Sequence, residues 1–473
     1  MVLSLDPAPP AGADARYLVS AGDVVLRLEA LPPGERLGDA LGKPASQRFQ
    51  AAGFRAWVEP GAAAGGGRLP ALWLETAEQV RAMLEDQGAT VAVLGAKKVG
   101  KSTFARLLVN TLLRSHREVA LLETDCGQVE FGVPGLLTLS TVSAPLTGPP
   151  FLRQLAGPGA AAGAPRVVAP RPRGSARYVR CVAALAAARA AQLPRATPLV
   201  VNTHGWTRGV GQDVLAALLS DLRPGLVVQV SCGEPRKDLP DGDWWSEYTP
   251  SSVALGEEPA REAEPEGEGG RSARARRKAQ AADAAHGPHY WLLPPVYGDA
   301  AAASAARGMS PVELRAAQWT HWARRCARAM GVPEGPAPAD LLASAAPYAA
   351  RWEDVAVEAL FARRLTPDQT AVAVNGSVVG LCRARDGACL GVGLVRAVDG
   401  QNHRLYLLTD LAPEELEGVD VLQLGRLELP GTLLQSPSFR SPYMALHCLP
   451  TLGTGSGQSK SRNNIPRASQ LKQ

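Results

Sequence analysis

Residues 91–103 constrain this chain more tightly than any other stretch. Val91-Ala-Val-Leu94 reads as a buried strand and runs straight into Gly95-Ala96-Lys97-Lys98-Val99-Gly100-Lys101-Ser102-Thr103, with Leu107 and Leu108 on a helix behind. Strand, glycine-cornered loop, then Lys-Ser opening a helix is the P-loop arrangement. Gly95 and Gly100 let the backbone curl, so that the N–H groups of Ala96, Lys97, Lys98 and Val99 turn inward toward phosphate oxygens. Lys101 supplies a positive charge to the β- and γ-phosphates, the Ser102 hydroxyl is suited to Mg²⁺, and Thr103 completes the run. A chance Gly-rich turn would not need the strand in front or the helix behind. The feature says nucleoside triphosphate without saying what happens to it.

A chain of 473 residues is too long for one ordinary core, so two to three domains are expected. Strands and helices alternate from 90 to about 232. Val91–Leu94, Val119–Leu122, Leu199–Asn202 and Leu226–Ser231 are strand-like; 101–114, 174–192 and 209–222 are helix-like. That alternation predicts an α/β fold, a mostly parallel, RecA-like P-loop NTPase sheet covered on both faces. Residues 1–85 read as a small β-rich domain, with short apolar runs at Tyr17, Asp23, Phe54 and Leu72-Trp-Leu, and a helix over 76–88. The P-loop core is expected over 86–332. It includes an acid-then-base insertion near 256–285 that reads as disordered, and an Arg-rich helix near 310–328. A Pro/Ala-rich linker over 332–352 leads to a β-rich domain at 353–450, with Ala371-Val-Ala-Val among its strands. A disordered tail occupies 451–473.

The seven cysteines form no Cys-x-x-Cys pair, so neither a zinc site nor a disulfide framework is expected. The opening residues lack the charged region and apolar core of a signal peptide. No run reaches the roughly 18 apolar residues of a membrane span, so a soluble intracellular protein with no membrane partner is expected. A net charge of +5 permits nucleic-acid binding without establishing it.

Three further places carry chemistry. Asp125, in Glu123-Thr-Asp125-Cys-Gly127-Gln128, is expected at the carboxyl end of a parallel strand beside the P-loop, pointing into the crevice where ligands sit in such sheets. It could hold the metal through water or take a proton from an attacking hydroxyl, against the plainer reading of a turn-capping Asp. Gln128 could position a water or the γ-phosphate, or be a surface amide. The second place is Thr203-His204-Gly205-Trp206, again at a strand end. A base stacked on Trp206 would gain about 1–3 kcal/mol without sequence preference; the bland alternative is an indole capping the core. The third is Arg315 on the Arg-rich helix, a candidate to close over a transferring phosphoryl group, with Trp319 and Trp322 assigned to the core. No Asn-Lys-x-Asp guanine motif and no Leu-Ser-Gly-Gly-Gln transporter signature is present.

Gly95–Thr103, Asp125-x-Gly127-Gln128 and Thr203-x-Gly205-Trp206 together resemble the polynucleotide 5′-hydroxyl kinase family. The runs Leu122–Phe131 and Ala373–Cys382, with Leu411-Ala-Pro-Glu-Glu-Leu416, are similar to its nucleolar, pre-rRNA-processing branch. The resemblance implies ATP-dependent phosphorylation of 5′-hydroxyl ends of RNA, or of DNA. It implies Lys101, Ser102 and Thr103 on ATP and Mg²⁺, and Asp125 as metal-side carboxylate and base. Thr203, Gly205 and Trp206 become a clasp on the nucleic-acid end, with Arg315 as a lid arginine. It also implies an endoribonuclease partner and a nuclear, nucleolar address. Glu123 stands where the family has a first Asp, which keeps the charge. The rival function is a non-catalytic ATP-binding scaffold of an RNA-processing complex.

Overall fold

The computed structural model describes residues 16–21, 24–29, 69–84, 88–146, 175–246, 289–296, 311–332, 338–360, 365–385, 387–425 and 427–430, with the single residues 150 and 433. Their elements fall into two compact units. The expected strand near Phe54, the insertion at 256–285 and the tail at 451–473 lie outside the described residues.

The first unit opens with an antiparallel hairpin, β1 (Arg16–Ala21) and β2 (Val24–Glu29). It continues through α1 (Ala71–Met83), β3 (Thr90–Gly95), α2 (Lys101–Leu112), β4 (Val119–Glu123) and β5 (Thr138–Val142). It closes with α3 (Ser175–Gln192), β6 (Leu199–Asn202), α4 (Val210–Leu222), β7 (Leu226–Val230) and β8 (His289–Leu293). The central sheet has the order β5-β4-β6-β3-β7-β8; β5 is antiparallel and the rest are parallel.

Strands buried on both faces read as continuous apolar runs, and β3 shows why. Val91 and Val93 enter one core with Trp73, Phe104 and Leu108 from α1 and α2, while Ala92 and Leu94 enter the other with Val182, Leu185, Leu215 and Leu219 from α3 and α4. All five parallel strands therefore end on one edge, where the candidate residues collect.

The second unit holds α5 (Pro311–Ala329), α6 (Pro338–Ser344), β9 (Tyr348–Arg351), β10 (Ala356–Ala359), α7 (Pro367–Val374) and β11 (Val378–Cys382). After these come β12 (Cys389–Asp399), β13 (Arg404–Thr409), α8 (Pro413–Leu416) and β14 (Val421–Leu424). Its sheet runs β10-β14-β11-β12-β13-β9, antiparallel except between β10 and β14. α5 packs on α6 and β13, with Trp319 and Trp322 buried edge to face at 5.4 Å. The Trp322 Nε1 donates to Asp410 Oδ1 at 3.0 Å, and Arg325 pairs with the other oxygen of the same carboxylate.

Several local expectations are corrected. Leu72-Trp-Leu is not a strand but the first turn of α1, which starts after Pro70 rather than at Thr76. Ala371-Val-Ala-Val is helical: Thr366 and Gln369 form a reciprocal capping box with Pro367 in the first turn, which starts a helix before the β-branched residues are reached. The linker expected at 332–352 contains α6 and β9. Strands β5 and β8 add to those expected, the first being hard to read because Thr138-Leu-Ser-Thr-Val is half polar. Among the described residues no helix is long and apolar enough to cross a membrane.

Candidate active site

β3 ends at Gly95, with φ of 137°, and α2 begins after Gly100, with φ of 107°. Between them Lys98 also takes a positive φ, 67°, so the loop alternates its backbone in the manner of an anion-binding nest. Gly100 is obligatory on two counts. Its φ is strained for any side chain, and a Cβ there would stand 2.7 Å from the Trp73 ring and 2.9 Å from Val296 Cβ. Trp73 is held under the loop by donating its Nε1 to Pro294 O at 2.8 Å.

Lys101 is buried and donates from Nζ to Ala96 O, 2.8 Å away, closing the loop on itself. Burial takes its ammonium down to about 8, with Asp125 pulling up against it and Lys97 adding to the fall. Ser102 is half-buried in the first turn of α2, Thr103 is exposed, and Lys97 and Lys98 are exposed on the loop.

Asp125 follows β4. β6 lies between β4 and the loop-bearing β3, so the carboxylate comes from one strand over rather than from the adjacent one. Its Oδ1 accepts from Gly127 N at 2.9 Å, and its carbonyl accepts from Gln128 N at 3.1 Å, which folds Cys126–Gln128 into a tight turn. Gln128 is half-buried in that turn. Glu123, on the last residue of β4, is buried and its carboxyl is held well above the usual carboxylate range, first by burial and then by Glu130.

The strand between them supplies the third part. Thr203 is fully buried, and its hydroxyl donates to Val93 O at 2.8 Å, pinning the loop after β6 to β3. Gly205 lies directly on the phosphate loop: a Cβ there would stand 2.8 Å from Lys97 Cα and 2.9 Å from Lys97 N. Only glycine admits that approach. His204 Nδ1 accepts from Trp206 N at 3.2 Å, and burial, with Lys101 and Lys97, takes the imidazole down to about 4. The ring meets Tyr178 edge-on at 5.7 Å, and Tyr178 donates to Thr124 O at 2.6 Å, bracing this loop and the acidic one from α3.

Trp206 is 52% exposed. It rests against the start of α4, where a Cβ on Gly211 would come within 2.3 Å of the indole Cγ. It is therefore not a core cap, and about half of its surface faces solvent. Thr207 and Arg208 then tie the loop to the segment after β7, donating to Lys237 O at 2.8 Å and Pro235 O at 3.1 Å.

The loop, Asp125, Gln128, Thr203, Gly205 and Trp206 are all brought to one sheet edge. Arg315 lies on α5 in the second unit, where its side chain is buried. One residue that sequence reasoning did not single out belongs with the site. Asn202 ends β6, fully buried, and its Nδ2 reaches both Ser102 Oγ and Glu123 Oε2. The signal was an amide closing the apolar run Leu199-Val-Val. Ser102 and Asp125 are the oxygen donors here suited to a divalent cation.

Fold and site together define a P-loop nucleotide-binding protein. Residues 95–243 match the P-loop model of the mRNA cleavage and polyadenylation factor CLP1, and residues 343–430 match the NOL9-like C-terminal domain. Over 402 residues the chain is 26% identical to a polynucleotide 5′-hydroxyl-kinase NOL9 of Arabidopsis thaliana, covering 80% of this chain and 96% of that one. The protein of that name from Homo sapiens is 29% identical over 391 residues, 73% of this chain and 50% of its own length. That from Danio rerio is 28% identical over 382 residues, 74% and 47% respectively. This chain thus spans about half the length of these two vertebrate relatives. A solved Clp1p–Pcf11p complex covers 74% of the chain at 14% identity and a TM-score of 0.44, and the fold rests on the strand order above rather than on that likeness. Over most of its length the chain is thus similar to polynucleotide 5′-hydroxyl kinases of the NOL9 type, with a CLP1-type P-loop domain and a NOL9-like C-terminal domain.

Proposed function

We propose that this chain transfers the γ-phosphate of ATP to the 5′-hydroxyl of an RNA end, with DNA ends as the second acceptor class. The observation that carries the reading is the half-exposed Trp206, on a loop whose Gly205 touches the phosphate loop at Lys97. An acceptor base stacked on that indole has its sugar held beside the place where the triphosphate is gripped.

In this reading the backbone N–H groups of Ala96–Gly100 hold the β- and γ-phosphates, and Lys101 leaves Ala96 O for their oxygens. Asp125 takes the proton of the attacking 5′-hydroxyl as the O5′–Pγ bond forms and the bond from Pγ to the β-phosphate oxygen breaks, releasing ADP. Gln128 and Thr203 help fix the acceptor, Gln128 from the acidic turn and Thr203 by pinning the clasp. Among the described residues no group of three or more His, Cys, Asp or Glu could hold a metal, which fits a cation that draws most ligands from phosphates and water. Mg²⁺, when bound through Ser102 and Asp125, neutralises charge on the transferring group.

Arg315 is assigned the role of closing on the phosphates. Its burial in the second unit gives that assignment its own test: Arg315→Ala should lower kcat while sparing ATP affinity, whereas a purely structural arginine would show as lost stability. A role in pre-rRNA processing, a nucleolar address and an endoribonuclease partner are proposed on the NOL9 resemblance alone.

The function is tested by incubating the chain with ATP, Mg²⁺ and matched RNA oligonucleotides carrying a 5′-hydroxyl or a 5′-phosphate. A gain of one phosphate in mass on the first and none on the second is expected. ATP binding with no gain on either would replace the kinase by a nucleotide-bound scaffold.

A further inference from the structure

The phosphate loop and the acidic strand end are joined by one side chain. Asn202 is the last residue of β6, in register with Val93 of β3 on one side and Glu123 of β4 on the other. Its side chain is fully buried at the end of an otherwise apolar strand, a position that disfavours an amide unless hydrogen bonds compensate. Both hydrogens of Nδ2 are engaged, one by Glu123 Oε2 at 2.8 Å and the other by Ser102 Oγ at 3.1 Å. Asn202 Oδ1 is buried and has no donor among the described residues.

We propose that Asn202 is a positioning residue for the cation at the nucleotide site, acting through Ser102 and resting on the reading that Ser102 ligates that cation. A hydroxyl oxygen offers two lone pairs and one hydrogen. By donating to one lone pair, Asn202 fixes the Ser102 rotamer and leaves the second lone pair and the hydroxyl hydrogen for the nucleotide side. With Asn202 gone, Ser102 is free to rotate and give its hydrogen to a neighbouring carboxylate, which turns the oxygen away from its ligand direction. The bond to Glu123 holds the amide itself in place, so the orientation of Ser102 is inherited from β4 through β6. Oδ1 remains as an acceptor for a water that arrives with the cation. Groups in this outer position commonly change metal affinity by about 10–100-fold when removed.

The plainer alternative is that Asn202 only satisfies Glu123 and knits β4 to β6. Cation affinity separates the two. Mn²⁺ serves as the probe, titrated by electron paramagnetic resonance into the full chain loaded with a non-hydrolysable ATP analogue, and analogue affinity is measured in EDTA and in Mg²⁺. Asn202→Ala should weaken Mn²⁺ by about tenfold or more while leaving analogue affinity in EDTA unchanged. Thr124→Val, which removes a neighbouring hydrogen bond from Thr124 Oγ1 to Asn202 O at 3.0 Å, should leave Mn²⁺ affinity as in the parent.

Unchanged Mn²⁺ affinity in Asn202→Ala overturns the proposal. So does an equal loss of analogue affinity with and without cation, or a matching loss in Thr124→Val. If Asn202→Ala does not fold, Asn202→Leu takes its place with the same expected outcomes, being close in volume and apolar like the rest of its strand. Failure of both to fold makes the role structural and also overturns the proposal. Because the readout is cation binding, a chain that binds nucleotide and transfers nothing gives the same answer, so failure here and failure of the kinase reading are told apart.

Discussion

His204 joins electrostatics to the clasp. Its Nδ1 accepts the Trp206 amide, a bond that only the unprotonated nitrogen can make, and burial with Lys101 and Lys97 nearby takes it down to about 4. An unfolded histidine titrates near 6.5. The folded state therefore binds fewer protons than the unfolded one between those values, and stability is lost as pH falls from about 6.5 toward 4. The loss is on the order of 3 kcal/mol at its limit. His204→Gln should remove that part of the acid sensitivity, read by comparing denaturant unfolding of parent and variant at neutral and acid pH. His321, also taken down to about 4 by burial with Arg324 and Arg325, titrates in both proteins and cancels in the comparison. Trp206→Ala should weaken 5′-hydroxyl RNA binding by about 1–3 kcal/mol and leave ATP affinity intact, measured by fluorescence anisotropy and by calorimetry; unchanged RNA affinity would remove the indole from the acceptor site.

Among the elements, those that build the site were the most legible. β3, β4, β6 and β7 are apolar runs bounded by Gly, Asp, Asn and Ser, because a parallel strand is buried on both faces and has no polar side to disguise it. The differences arose where a local start signal outweighed composition. Val372 is 71% exposed and Val374 fully buried, a helical rather than alternating pattern that the Thr366–Gln369 capping box sets up. Asn202 is not legible in the sequence because its partners, Ser102 and Glu123, are 100 and 79 residues away in the chain and meet only through the sheet register. Contact between the two loops predicts a coupled defect. Gly205→Ala must push the clasp off Lys97, so RNA affinity and nucleotide affinity should fall together, unlike the selective effect of Trp206→Ala. Under the phosphate loop, Trp73→Ala should cost about 3–5 kcal/mol of stability, as removal of a fully buried indole does, and chemical denaturation measures it.

At the scale of the whole molecule, the elements divide so that phosphate loop, acid and clasp share the first unit while α5 and Arg315 belong to the second. Order in the chain puts the Arg-rich helix with the kinase core; what holds it instead is Asp410, which receives both Trp322 and Arg325. Asp410→Ala leaves a buried indole N–H and a half-buried guanidinium without that acceptor and should destabilise the second unit by about 1–3 kcal/mol, seen as lost hydrogen-exchange protection in α5 and β13. The central claim is that the sheet edge of the first unit performs phosphoryl transfer, with Lys101 on the phosphates and Asp125 on the acceptor hydroxyl. Transfer of label from γ-labelled ATP to a 5′-hydroxyl RNA oligonucleotide, compared among the parent, Lys101→Ala and Asp125→Asn, tests it most directly. Labelled RNA is expected with the parent, and a loss of about a hundredfold or more in each variant; equal labelling by parent and Asp125→Asn, or none by the parent while it still binds ATP, would contradict the claim.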